Sequence, residues 1–303
     1  MRDAEPFETR IVALPDGRSL EVRVAGPPDG AVVLWHHGTP GGGVPPADLV
    51  EKLAARGMRL VAPARPGYGR STRRPRRTVA DVAPDAAAVL DALGVERCFV
   101  LGESGGGPHV LACAALLPGR VIAATALAAV APFDAEGLDF LAGMGPENID
   151  EFGAAIEGPG ELGAFLEHEL PGLRDVTGPE VADALGGLVD EVDRASLTGA
   201  YADGVAADIR AGLATGFWGW LDDDIAFVSP WGFALDAIAV PVDLWQGGHD
   251  RMVPFAHGEW LAAHVRGSAV RAHLLPEEGH LSLADRRIDE ILDALTGATG
   301  VEA

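Results

Sequence analysis

Cysteine is scarce in this chain: Cys98 and Cys113 are the two among 303 residues. Two thiols make no disulfide framework. Cys98 opens an apolar run and Cys113 lies in a helical pattern, so both read as small buried apolar residues in a reducing compartment. Basic residues are also few, 23 Lys and Arg against 45 Asp and Glu, and the formal net charge is -22. A field of that sign repels phosphate backbones and anionic lipid, which excludes nucleic acid and membrane surfaces as expected partners and favours neutral or cationic small molecules. Long apolar runs are missing as well. The longest, Val121 to Phe133, is too short to span a bilayer and reads as a buried strand. The first ten residues, Met1 to Arg10, are charged and lack the apolar stretch of a signal peptide. No internal repeat recurs at a fixed period. The expectation is a soluble cytoplasmic protein. What is present suffices for a large core: 48% of residues are hydrophobic and 22% charged.

Thr9 to Leu14 and Ser19 to Val24 read as strands, and Pro15-Asp16-Gly17 between them is a turn signal, so a hairpin opens the chain. Ala31 to Trp35 is a continuous apolar run, the pattern of a strand buried on both faces. Leu60 to Ala64, Cys98 to Leu101, Val121 to Val130 and Val242 to Trp245 are similar, and Ala269 to Leu275 is a further apolar segment. Helical patterns alternate with them at about Ala47 to Arg56, Val79 to Leu93, Gly105 to Leu117, Pro254 to Val265 and Arg287 to Leu295. The alternation predicts an α/β fold whose central sheet is mostly parallel, with helices on both faces. Residues 133–236 break the rhythm: they hold helical segments rich in Ala, Gly, Glu and Asp and no convincing buried strand. This divides the chain into a core of 1–132 and 237–303 and a helical insertion of 133–236, an insertion long enough to be a lid or binding element.

Gly102-Glu103-Ser104-Gly105-Gly106 matches G-x-S-x-G, with the apolar strand CFVL before it and a helix-like run after it. A nucleophile at a sharp strand-to-helix turn needs small neighbours, because flanking side chains collide there. The same turn sets the Gly105 N–H at a helix N-terminus, where it can hold negative charge. A neutral serine needs a base. His280, in Glu278-Gly279-His280, is placed in a loop between the last strand and the last helix. Asp250, in Gly247-Gly248-His249-Asp250, follows the strand Val242 to Trp245 and can fix the imidazole tautomer; Asp134, after the strand Val121 to Val130, is the competing acid. His37-Gly38-Thr39-Pro40 follows Ala31 to Trp35 and supplies the Thr39 N–H as second oxyanion donor. His37 reads as support for that turn, and His36 is given no role.

Phe217, Trp218, Trp220, Trp231 and Phe233 crowd the end of the insertion, where they pack it onto the core or form an apolar wall of a substrate pocket. Arg70 to Arg77 is the one basic cluster and reads as a solvated loop paired with carboxylates. His249 is expected to point away from the site. His109 and Cys113, four apart on one helix face, read as packing against the sheet. No His, Cys or Asp cluster has metal-ligand spacing, and Gly41 to Gly43 lack the Lys-Ser/Thr of a phosphate loop, so neither metal nor cofactor is implied.

Together the HGTPGG turn, Arg65 to Ser71 (RPGYGRS), GESGG, GGHD and EEGH resemble the α/β-hydrolase superfamily in kind and order. The resemblance covers roughly residues 9 to 132 and 237 to 297 and implies the α/β-hydrolase fold, with residues 133–236 matching the cap domain of such enzymes in position. In detail it is similar to the branch of proline iminopeptidase-like and small-molecule ester hydrolases. Two positions depart: Ala64 stands where that branch commonly has aspartate, and HGTPGG replaces the iminopeptidase HGGPG. Haloalkane dehalogenases and epoxide hydrolases of this fold use an aspartate nucleophile, whereas this chain has Ser104. The resemblance implies a cofactor-free serine hydrolase acting on an ester of a small molecule. The alternatives are an aminopeptidase, with Glu161 or Glu167 holding a substrate ammonium, and a non-catalytic ligand-binding relative. Neither substrate identity nor oligomeric state is implied.

Overall fold

The structure, a computed structural model of the chain, describes residues 6–266 and 269–297. Eight strands form one sheet: β1 (Glu8–Ala13), β2 (Ser19–Ala25), β3 (Ala31–His36), β4 (Met58–Pro63), β5 (Cys98–Glu103), β6 (Val121–Leu127), β7 (Val242–Gly247) and β8 (Val270–Leu275). Their order across the sheet is β1-β2-β4-β3-β5-β6-β7-β8. β1 and β2 form the expected hairpin, β2 pairs β4 antiparallel, and every later pairing is parallel. Two of the boundaries that differ from the sequence reading bear on the site. β6 stops at Leu127 because Ala128 takes a φ of +46°, a conformation that no strand continues. β5 runs on to Glu103 and so delivers Ser104 directly.

Strand periodicity sorts the central side chains into two cores. Val32 and Leu34 of β3 and Cys98 and Val100 of β5 enter one; Val33, Trp35, Phe99 and Leu101 enter the other. The first face is covered by α2 (Val82–Ala92), α3 (Gly107–Leu116) and α10 (Phe255–His264), the second by α1 (Ala47–Ala55) and α11 (His280–Gly297). Helices thus cover both faces, as the parallel part of the sheet requires. Both cysteines are free and buried.

Between β6 and β7 the chain is helical: α4 (Pro146–Glu157), α5 (Pro159–Leu173), α6 (Gly178–Ala184), α7 (Glu191–Ser196), α8 (Gly199–Leu213) and α9 (Trp218–Phe227). Among the described residues no strand intervenes. The starts are chemically marked. Pro opens α4, α5 and α6, where a missing N–H costs nothing, and the Asp190 carboxylate caps α7 by accepting the Val192 and Asp193 N–H groups. No helix among the described residues is long and apolar enough to cross a membrane.

Candidate active site

Ser104 directly follows β5 and begins a short turn into α3 with a φ of +53°, the left-handed region that costs a non-glycine residue about 1–2 kcal/mol. The glycines around it are required by close approach. A Cβ on Gly102 would stand 2.8 Å from Val110 Cγ2 and 2.9 Å from the His36 carbonyl, and one on Gly106 would land on that same carbonyl. One on Gly105 would run into the Thr39 side chain, so Thr39 and Gly105 meet beside the serine.

His280 is the first residue of α11, not a loop residue as the sequence suggested. Its Nδ1 lies 2.8 Å from Asp250 Oδ2, and both side chains are buried. Asp250 is held by three further donors: Met252 N–H at 2.9 Å and Val253 N–H at 2.7 Å on Oδ1, and Gln246 Nε2 at 2.9 Å on Oδ2. A carboxylate so fixed orients the imidazole and stabilises its cation. Burial works to lower the His280 pKa, but the Asp250 carboxylate outweighs it, with smaller help from Asp193 and Glu103, and the net direction is upward. Asp134, the competing acid, is exposed. His249 turns outward to Asp190, 2.9 Å away.

The last helix was expected to start at Arg287, and its earlier start has a remote cause. Asp193 of α7, fully buried, receives the first amides of α11: His280 N–H on Oδ2 at 3.0 Å, and Leu281 and Ser282 N–H on Oδ1, both at 2.9 Å. These amides have no partner within the helix. A Cβ on Gly279 would run into the Asp193 carboxylate, so the glycine before His280 makes room for the cap. No signal near residue 280 announces a partner 87 residues away.

A second remote carboxylate holds the turn that carries Thr39. Asp223 of α9, also fully buried, accepts from Thr39 Oγ1 at 2.9 Å, Tyr68 Oη at 2.7 Å, Arg65 Nη2 at 2.7 Å and Arg77 Nη1 at 2.6 Å. Arg65 in turn donates to the His37 and Gly38 carbonyls, and His37 Nε2 accepts the Arg65 N–H at 3.1 Å. His37 therefore supports the turn, as its position suggested. Arg70, Arg73 and Arg74 pair with Glu21, Asp222 and Asp81 respectively. Arg77 departs from the solvated reading of this cluster: it is buried against Asp223. His109 packs in the core with Nδ1 2.8 Å from the Gly105 carbonyl, and Cys113 Sγ lies 3.6 Å from His36 Nε2. No group of three or more His, Cys, Asp or Glu among the described residues is arranged to hold a metal.

Two adjoining cavities open on Ser104. The first, about 140 Å³, is lined by Ser104, His280, Glu103, Tyr201 and Asp208 and by apolar side chains including Ile209. Burial pushes Glu103 up to about 7 and Asp208 up to about 6. The second, about 110 Å³, is lined by Ser104, Thr39, Gly105, Trp220, Phe227 and carboxylates of α4, α5 and α9. Of the aromatic residues proposed as a pocket wall, Trp220 lines this cavity. Phe217, Trp218 and Trp231 line neither: Trp218 is 45% exposed over the Arg73 guanidinium, Phe217 packs beside it, and Trp231 is buried against Phe233. Helical geometry separates them, because Trp220, Asp224 and Phe227 share one face of α9 and Trp218 lies on another. Glu161 and Glu167 are exposed and line neither cavity.

Residues 31–151 match the family described as alpha/beta hydrolase fold. A non-heme chloroperoxidase of Streptomyces lividans is 33% identical over 147 residues, which are 48% of this chain and 53% of that protein. Epoxide hydrolase B of Mycobacterium tuberculosis is 30% identical over 161 residues, 51% of this chain and 42% of that one. The chain thus spans about half the length of the curated relatives it matches. Among solved structures, a hydrolase from Pseudomonas aeruginosa superposes with a TM-score of 0.67 at 21% identity, covering 96% of this chain and 98% of its own. An esterase from Rhodococcus superposes at 0.65 and 22% identity, covering 97% and 99%. At these identities the superpositions speak for the fold.

Proposed function

We propose that this chain, a hydrolase of the α/β-hydrolase fold, is a serine hydrolase that cleaves a carboxylic ester of a small molecule through an acyl-enzyme intermediate. The observation that carries the reading is the buried 2.8 Å contact between Asp250 and His280, with His280 and Ser104 lining one cavity. In the forward step His280 Nε2 takes the Ser104 proton as Oγ attacks the ester carbonyl. The C–O bond to the alcohol then breaks, and His280 returns the proton to the departing oxygen. Water repeats the sequence and frees the acid. The Gly105 and Thr39 N–H groups hold the oxyanion; one such donor is worth about 2.7–4 kcal/mol of barrier. Asp223, through Arg65 and Thr39, positions the turn that presents one of them. In this reading the helices α4 to α9, within residues 133–236, act as a cap over the serine.

A fluorophosphonate probe tests the assignment. One adduct per chain, mapped to Ser104 and lost in Ser104→Ala, is expected, together with loss of ester hydrolysis in that variant. Hydrolysis at a comparable rate by folded Ser104→Ala protein sinks the proposal. Assays on simple esters and on amino-acid anilides in parallel separate esterase from aminopeptidase activity.

A further inference from the structure

We infer that the second cavity is a subsite for a cationic group carried on the acyl part of the substrate. This rests on the serine-hydrolase reading above and names its substrate class. α9 carries three successive aspartates. Asp222 pairs with Arg73, and Asp223 pairs with Arg65 and Arg77. Asp224, turned by one more residue, lines the cavity with Trp220 and Phe227 and, among the described residues, forms no ion pair with an arginine. It is 1% exposed, and among the described residues neither of its oxygens accepts from an N–H or a hydroxyl. Its polar neighbour is the carboxyl of Glu151 on α4, which also accepts the Trp220 indole N–H at 2.8 Å. The two carboxyls share one proton between them, and among the described residues neither is offered an arginine or lysine as ion-pair partner. Glu169 of α5 and Glu147 of α4 complete the acidic wall. Glu147 Oε1 accepts the Gly187 N–H at 2.7 Å, while its Oε2 is buried without a donor. No Lys, Arg or His lines this cavity.

Burying a carboxyl pair on one shared proton, with no cation beside it, is costly, and a folded chain keeps such an arrangement where something else satisfies it. Burial holds Asp224 well above the usual carboxylate range and raises Glu151 to about 7, so this wall retains protons that a bound cation displaces. The rings of Trp220, Phe227 and Phe165 add faces that an alkylammonium can rest on. The first cavity has carboxyls of another kind: its Asp208 is engaged by the Gly42 and Val44 N–H groups, its Asp48 is exposed, and its Glu103 and Asp285 are part-exposed rather than buried like Asp224. The position of the base assigns the limb. A departing alcohol must receive its proton from His280, which lines the first cavity and not the second. The alcohol therefore lies on the first side and the acyl chain on the second.

The test compares ethyl 4-(trimethylammonio)butanoate with its neutral isostere, ethyl 5,5-dimethylhexanoate. Wild-type protein should favour the cation in kcat/KM by at least about tenfold, and Asp224→Asn should bring the ratio close to one. Circular dichroism checks folding. If Asp224→Asn does not fold, Glu151→Gln and the half-exposed Glu169→Gln carry the comparison. Calorimetric titration with choline and with 3,3-dimethyl-1-butanol reads the subsite without turnover. Choline should bind at least about tenfold more tightly, and less so in the variants. Equal handling of both esters, or a preference untouched by the variants, overturns the inference while the serine-hydrolase reading stands. A preference confined to choline esters over 3,3-dimethylbutyl esters overturns the acyl assignment. Choline binding that depends on Asp224, without turnover of either ester, supports the subsite and sinks the hydrolase reading.

Discussion

Replacing Asp193 by alanine removes the cap of α11 from outside that helix, and its consequences can be worked from the geometry. Three amides, those of His280, Leu281 and Ser282, lose an acceptor they reach at 2.9–3.0 Å. Loss of an N-cap costs about 0.5–2 kcal/mol, and each buried donor left unpaired costs about 1–3. The sum is tempered from the other side. Burial pushes the Asp193 carboxyl above its usual range against the pull of those amides and of His280, so its removal also relieves a desolvation cost. The net expectation is a loss of about 2–4 kcal/mol, a fall in Tm of roughly 4–8 °C for a chain of this size. Asp193→Asn is the finer probe. Its amide oxygen can still serve Leu281 and Ser282, but its NH₂ then opposes the His280 N–H, for a cost of about 1–2 kcal/mol. Because His280 is the first residue of the helix, a shift of about 1 Å at the uncapped end would slow chemistry about 100-fold. Urea denaturation gives the stability. The second-order rate of fluorophosphonate labelling at Ser104, measured where each variant is folded, gives the positioning effect. An Asp193→Ala protein within about 0.5 kcal/mol of wild type, labelled at the wild-type rate, would refute the reasoning.

Two further predictions follow from the buried carboxylates. The proposed mechanism needs neutral His280, whose pKa is held above its ordinary 6.5, so kcat/KM should rise with pH through a midpoint above that value; Glu103→Gln removes one of the charges that raises it and should move the midpoint down, and an unmoved or higher midpoint counts against the assignment. Asp223→Ala strands the buried guanidiniums of Arg65 and Arg77 and should cost about 3–5 kcal/mol, seen as a large drop in Tm or in the yield of folded protein; a wild-type melting curve would show the network to be dispensable.

The acidic composition has an uneven outcome. Most arginines of the Arg70 to Arg77 segment are matched by a carboxylate, so the surplus charge collects elsewhere, in part around the two cavities. α7 ties the insertion to the core at the proposed base: Asp193 holds the His280 amide, Asp190 meets His249, and the Val192 carbonyl accepts from Arg286. Any displacement of α7 would be felt first at the histidine.

The sequence by itself determined what depends on neighbours in the chain. Continuous apolar runs announced the buried parallel strands, and Pro15-Asp16-Gly17 announced the hairpin. The glycines around Ser104, the turn at Asp250 and the Gly279-His280 pair marked strand ends, because sharp turns demand particular residues within five positions. Only the tertiary structure decided what depends on contact across the chain. The sheet order is one such feature. So is the cap at His280, supplied 87 residues away, and the carboxylate behind Thr39, supplied 184 residues away. Local patterns failed for the aromatic residues near 217–231, since all share the same composition while a helix turning about 100° per residue sends Trp220 to the cavity and Trp218 to the surface. They failed also for the three aspartates of α9, identical as letters, of which two meet arginines and the third meets a second carboxyl. A carboxylate's role is set by the charge and solvent around it, and those belong to the folded chain.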